Sequence, residues 1–169
     1  MRVASTLHEK GVLAASFFWD KNQPGSGLDS LASFPSTLAR QLAAFNDYYR
    51  ITLYKHLQQS PYNVQGFALK EQMKGLILDP MDEMKEWLSL GKGRWVIILD
   101  GLDECGDQET LEELMEVVLM LDQLPPKFTI LISCRPEPQL HKAWKKFKPD
   151  VPFEDIDKIN EDQKFYIVR

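Results

Sequence analysis

Two apolar runs of strand length constrain this chain most. Trp95-Val96-Ile97-Ile98-Leu99 and Phe128-Thr129-Ile130-Leu131-Ile132-Ser133 are apolar at nearly every position rather than at alternate ones, and a strand of that kind is covered on both faces. Between them Leu111, Leu114, Met115, Val118 and Leu121 repeat at helical spacing. That stripe predicts a helix from about Gln108 to Leu124, capped by Asp107 and ended by Pro125-Pro126. A buried strand, a helix and a second buried strand in succession form the unit of a parallel sheet, so the predicted class is α/β.

The rest of the chain follows the same alternation. A first strand is expected over Ala14-Ala15-Ser16-Phe17-Phe18-Trp19, reached from a short polar helix ending near Gly11 and closed by the turn-rich Asn22-Gln23-Pro24-Gly25-Ser26-Gly27. About 70 residues then read as helical, with Phe34, Leu38, Leu42 and Phe45 at helical spacing, followed by Tyr54 and Leu57, and by Met73, Leu76 and Ile77. A weaker fourth strand lies near Val151-Pro152-Phe153-Glu154-Asp155-Ile156, where the proline suits an edge or a strand start.

A length of 169 residues fits one domain over the whole chain. Charged residues at 27% and aromatics at 11% exclude a disordered or low-complexity chain. The 25 acidic against 20 basic side chains, a net charge of -5, argue against a protein that grips nucleic acid. No apolar run reaches the roughly 18 residues that span a bilayer, and Met1-Arg2-Val3-Ala4-Ser5-Thr6-Leu7-His8 lacks a secretory apolar stretch. The expectation is a soluble, cytoplasmic protein. Cys105 and Cys134 are too few for a disulfide scaffold, and His8, His56 and His141 carry no zinc spacing. Lys142, Lys145, Lys146 and Lys148 flank Trp144 and Phe147; a solvated helix face accounts for them better than a phosphate or acidic-partner site.

The chemistry-bearing stretch is Leu99-Asp100-Gly101-Leu102-Asp103-Glu104-Cys105. A buried parallel strand delivers its C-terminal end to the crevice where α/β folds bind ligands, and Asp100 stands there. One carboxylate in that place suits magnesium, which keeps most of its waters while bridging phosphate oxygens. Asp103 and Glu104 follow on the turn, where a second carboxylate could orient or deprotonate an attacking water. Four apolar residues, an acid and an acidic pair form a Walker B arrangement. Acids that merely cap turns are the plainer alternative. The third run ends in Ser133-Cys134-Arg135-Pro136-Glu137-Pro138, and Arg135 can either reach a γ-phosphate or pair with Asp103 or Glu104.

These two segments, with Gly11-Val12-Leu13-Ala14-Ala15-Ser16-Phe17-Phe18-Trp19, Phe34-Pro35-Ser36-Thr37-Leu38-Ala39-Arg40-Gln41-Leu42 and Phe153-Glu154-Asp155-Ile156-Asp157, resemble the NACHT class of STAND NTPases. The nearest branch is that of fungal proteins with a nephrocystin-3-like N-terminal NTPase domain. The resemblance implies a three-layer parallel sheet of P-loop NTPase type. It implies that Asp100 holds Mg²⁺ through water, that Asp103 or Glu104 positions the hydrolytic water, and that Arg135 is the sensor-1 arginine. It also implies a nucleotide-dependent switch using ATP or GTP, coupled to recognition and effector modules.

The family's phosphate loop, G-x-x-x-x-G-K-[ST], does not occur in the chain. Gly91-Lys92-Gly93 lacks the hydroxyl residue and reads as a turn. The expectation is that residues 1–8 are the tail of the helix after that loop, so that the first strand and the loop lie upstream and the Phe128–Ser133 strand has an open edge. Three readings follow. The chain is part of a NACHT-type signalling NTPase, expected to be inactive alone; or it is a pseudo-NTPase module that acts through protein partners or self-association; or it is a metal-dependent hydrolase using Asp100 and Asp103. The last is weakest, because phosphatase-like sites of the haloacid dehalogenase type want acids two apart.

Overall fold

The structure is a computed structural model that describes residues 2–23, 25, 31–59, 66–91, 93–106, 108–135 and 138–147. Its centre is the strand β2, Trp95–Asp100, with β1, Leu13–Phe18, on one side and β3, Phe128–Ser133, on the other, all parallel in the order β1-β2-β3. Successive residues of a strand point to opposite faces. Ile97, Ile98 and Leu99 are all buried, so the sheet is covered on both faces at β2, as its unbroken apolar run requires.

The register is regular between β2 and β3, from Trp95 opposite Phe128 to Asp100 opposite Ser133. It brings the ends of the two strands level. Backbone pairing continues past them: Trp19 N–H donates to the Asp100 carbonyl at 2.9 Å and Gly101 N–H to the Ser133 carbonyl at 3.0 Å. The expected first strand thus begins and ends one residue earlier than read, and the second includes Asp100.

The helices account for most of the remaining described residues. They are α1 (Arg2–Glu9), α2 (Phe34–Phe45), α3 (Asp47–Gln59), α4 (Leu69–Met73), α5 (Asp79–Glu83), α6 (Lys85–Leu90), α7 (Gln108–Leu119) and α8 (Pro138–Phe147). Phe34, Leu38 and Leu42 of α2 are buried, and Phe34 packs edge-on against Phe17 at 5.3 Å. The Gln41 side chain lies along the outer edge of β1, accepting from Ser16 N–H at 2.8 Å and donating to the Ser16 carbonyl at 2.7 Å. An amide presents one acceptor and one donor, so Gln41 supplies at that point what a neighbouring strand would.

The α4–α5 run is interrupted by a π-helical turn, Lys74–Leu78, just before Pro80. Proline cannot donate to the carbonyl four residues earlier, and its ring crowds that carbonyl. The carbonyl is that of Leu76, and the buried Tyr49 hydroxyl of α3 donates to it at 2.6 Å. Burial pushes the Tyr49 hydroxyl well above its usual pKa.

All five residues of the predicted Leu111–Leu121 stripe are buried. The helix is α-helical only to Leu119, and Met120–Gln123 tightens into a 3-10 turn before the prolines. Tyr54 and Leu57, by contrast, face outward, because α3 buries Tyr49, Thr52 and Leu53 instead. In α8, Leu140 and Trp144 are buried while Lys142 and Lys145 are exposed. The Asp107 cap, Lys148 and the fourth strand near Val151–Ile156 lie outside the described residues. Among those residues β3 pairs with β2 alone, and no helix is long and apolar enough to cross a membrane.

Candidate functional site

The C-terminal end of the sheet brings together groups far apart in sequence. Asp100 closes β2, and its Oδ1 accepts a hydrogen bond from the Ser133 hydroxyl at the end of β3, at 2.5 Å. Level register places both residues at the same height. One carboxylate oxygen is thereby oriented by a neutral donor.

The chain then has to leave β2 at once, and Gly101 makes this possible. Its φ is 74°, in the left-handed region that favours glycine, and a Cβ there would stand 2.8 Å from the Trp19 carbonyl oxygen. No other residue satisfies both conditions. The turn tightens into a 3-10 segment, Leu102–Glu104, anchored by the buried Leu102 and Cys105 and closed by Glu104 N–H donating to the Gly101 carbonyl at 2.8 Å.

This turn carries Asp103 and Glu104 back to the end of β3. Asp103 Oδ1 accepts from the Arg135 backbone N–H at 2.9 Å, and its Oδ2 lies 3.8 Å from Arg135 Nε. Glu104 Oε1 lies 3.4 Å from Arg135 Nη2. The Asp103 side chain is 5% exposed and that of Glu104 17%, against 68% for Arg135. Two largely covered carboxylates thus meet an arginine whose outer part stands in solvent. Asp103, Glu104 and Arg135 form one cluster just beyond the strand ends that Asp100 and Ser133 close, and the ion pair weighed as an alternative for Arg135 is present.

A magnesium ion that keeps most of its waters is the kind of metal a single strand-end carboxylate could hold. Magnesium is held by one or two carboxylates together with substrate phosphates, and Asp100 at the strand end supplies one carboxylate. Among the described residues no group of three or more histidine, cysteine or acidic side chains is arranged to hold a metal ion, so an all-protein cage of the zinc or calcium kind is not offered there.

Ser133 and Gly101 belong to this constellation, though sequence reasoning assigned them no role. The signal for Ser133 was a hydroxyl residue ending an otherwise apolar strand, and that for Gly101 was a glycine directly after a strand acid. Trp19, buried beside Phe17 and Phe34, ties β1 to the same place through its backbone. Its buried indole Nε1 has no hydrogen-bond partner among the described residues.

A family profile described as nephrocystin 3, N-terminal, matches residues 1–135. The match begins with α1 and ends at Arg135, so it spans the strands, the acidic turn and the arginine, while the likeness read for Phe153–Asp157 falls beyond it. Neither a curated protein nor a solved structure matches the chain significantly.

Proposed function

Because the chain belongs to the nephrocystin 3 N-terminal family, we propose that it is the Walker B and sensor part of a NACHT-type P-loop NTPase. In that reading its parent works as a switch set by ATP or GTP. The observation that carries the proposal is that Asp100, bound by Ser133, and Asp103 and Glu104, paired with Arg135, all stand where two adjacent parallel strands end. Ligands of open α/β sheets bind at that end.

Asp100 is the residue that holds magnesium, through water, with Ser133 keeping its carboxylate in one orientation. When bound, magnesium neutralises charge developing on the phosphate oxygens. One of Asp103 and Glu104 orients the attacking water and accepts its proton. Arg135, with its side chain 68% exposed, reaches the terminal phosphate and distinguishes triphosphate from diphosphate by charge-assisted hydrogen bonds. None of these roles uses a glycine-rich phosphate cradle, since the chain contains no G-x-x-x-x-G-K-[ST].

The ion pair of Arg135 with both acids favours a second reading. In it the acids and the arginine satisfy one another, and the chain is a pseudo-NTPase module acting through protein partners. A thermal melt with and without Mg²⁺-ATP and Mg²⁺-GTP separates the two, because a ligand that binds the folded state alone must raise the midpoint. A shift with one nucleotide supports the switch and identifies the base. A cooperative melt that no nucleotide shifts favours the module.

A further inference from the structure

The two acids of the turn are not equivalent, and the difference divides their roles. Asp103 has the more covered side chain, and one of its oxygens is committed to a backbone N–H, that of Arg135, at 2.9 Å. Glu104 meets the tip of the guanidinium, at 3.4 Å. A carboxylate bound to the main chain of another element fixes where that element runs; one that touches a flexible side-chain tip does not.

We propose that Asp103 is a positioning residue for Arg135, clamping the exit of β3 so that the guanidinium is held over the crevice, and that Glu104 is the acid left to act on water. Three constraints meet at this exit. Gly101 N–H holds the Ser133 carbonyl, Asp103 holds the Arg135 N–H, and the proline that follows Arg135 in sequence restricts the arginine's backbone to extended conformations. The Arg135 side chain, 68% exposed, can then swing from the acids to a polyphosphate while its backbone stays in place. The guanidinium meets the acids only at 3.4 and 3.8 Å, a loose pairing that leaves it room to turn. The clamp is a hydrogen bond to a neutral donor, so it requires an acceptor at position 103 and not a negative charge.

This inference rests on the phosphate-sensing role given to Arg135 above, and its test keeps the two apart. Binding of Mg²⁺-ATP and Mg²⁺-ADP is measured by calorimetry for the wild type, Arg135→Ala, Asp103→Leu and Asp103→Asn, together with amide hydrogen exchange at Arg135 in the ligand-free chain. Arg135→Ala is expected to reduce the triphosphate preference about tenfold, the effect of one charge-assisted hydrogen bond. Asp103→Leu is expected to reduce it as far, with no further loss in the double variant, whereas Asp103→Asn retains it. Exchange at the Arg135 amide should quicken at least tenfold in Asp103→Leu and stay unchanged in Asp103→Asn. A preference that survives Asp103→Leu, or is lost equally in Asp103→Asn, overturns the clamp. If no variant discriminates the nucleotides, the sensing role falls, and the exchange rates alone decide the clamp: equal rates in the wild type and Asp103→Leu overturn it.

Discussion

Ser133 Oγ donates to Asp100 Oδ1 across 33 residues of sequence, at 2.5 Å, joining the ends of two adjacent parallel strands. The contact exists because Asp100 and Ser133 are paired in register. A slip of either strand by one residue would turn its end side chain to the other face of the sheet and part the two. The site is therefore built on the register of β2 and β3, and the turn beyond it adds the other acids.

The charge of Asp100 can be removed without disturbing this arrangement. Asp100→Asn retains an oxygen for the Ser133 hydroxyl, so its melting midpoint is expected to stay within about 2 °C of the wild type, the shift that half a kcal/mol produces in a chain of this size. Any stabilisation by Mg²⁺-nucleotide should disappear. A Mg²⁺-nucleotide shift equal to that of the wild type would sink the assignment of Asp100 to the metal.

Gly101 tolerates no side chain. Its positive φ of 74° and the 2.8 Å approach to the Trp19 carbonyl act together, and the obstacle is backbone, which cannot swing aside. Gly101→Ala should destabilise the fold by about 2 kcal/mol or more, lowering the midpoint by roughly 4–8 °C. A melt unchanged within error would mean that the turn relaxes freely.

The buried Tyr49 hydroxyl makes stability depend on alkaline pH. Its folded pKa is raised above the usual 10.0 by burial, so the fold favours the neutral form. The associated stability is complete below pH 10 and is lost as pH rises above it, at up to about 1.4 kcal/mol per pH unit. Tyr49→Phe removes the donor to Leu76 and should cost about 1–3 kcal/mol at pH 8. Urea midpoints of both chains between pH 8 and 11 should converge as pH rises; a constant gap would contradict the burial argument.

Gln41 protects the outer edge of β1. Gln41→Leu keeps the bulk but leaves the Ser16 N–H and carbonyl without their partners, at a cost of about 1–3 kcal/mol. The uncovered edge should also raise light scattering at high protein concentration. A variant that melts lower but scatters no more would show that Gln41 serves stability alone.

The basic stretch near the C-terminus illustrates what local pattern can and cannot decide. In α8 the apolar Leu140 and Trp144, four apart, turn inward and leave Lys142 and Lys145 exposed, as helical spacing demands. The same spacing failed for Tyr54 and Leu57, which are exposed. The face an α-helix buries is chosen by what lies beside it, and α3 turns Tyr49 inward to reach the carbonyl that Pro80 cannot satisfy.

By itself the sequence determined the three strands to within a residue, the parallel α/β class and the cluster of acids, because unbroken apolar runs, the helical stripe between them and a strand-ending aspartate are local signals. Only the tertiary structure decided that Ser133 orients Asp100, that Gln41 closes the edge of β1, that Tyr49 serves Leu76, and that Asp103 binds the main chain of Arg135 while Glu104 does not. Each of these is a hydrogen bond between groups 25 to 33 residues apart or a choice between two adjacent carboxylates. Such pairings depend on strand register and helix rotation, which arise when the whole core packs and leave no trace in any short stretch of residues.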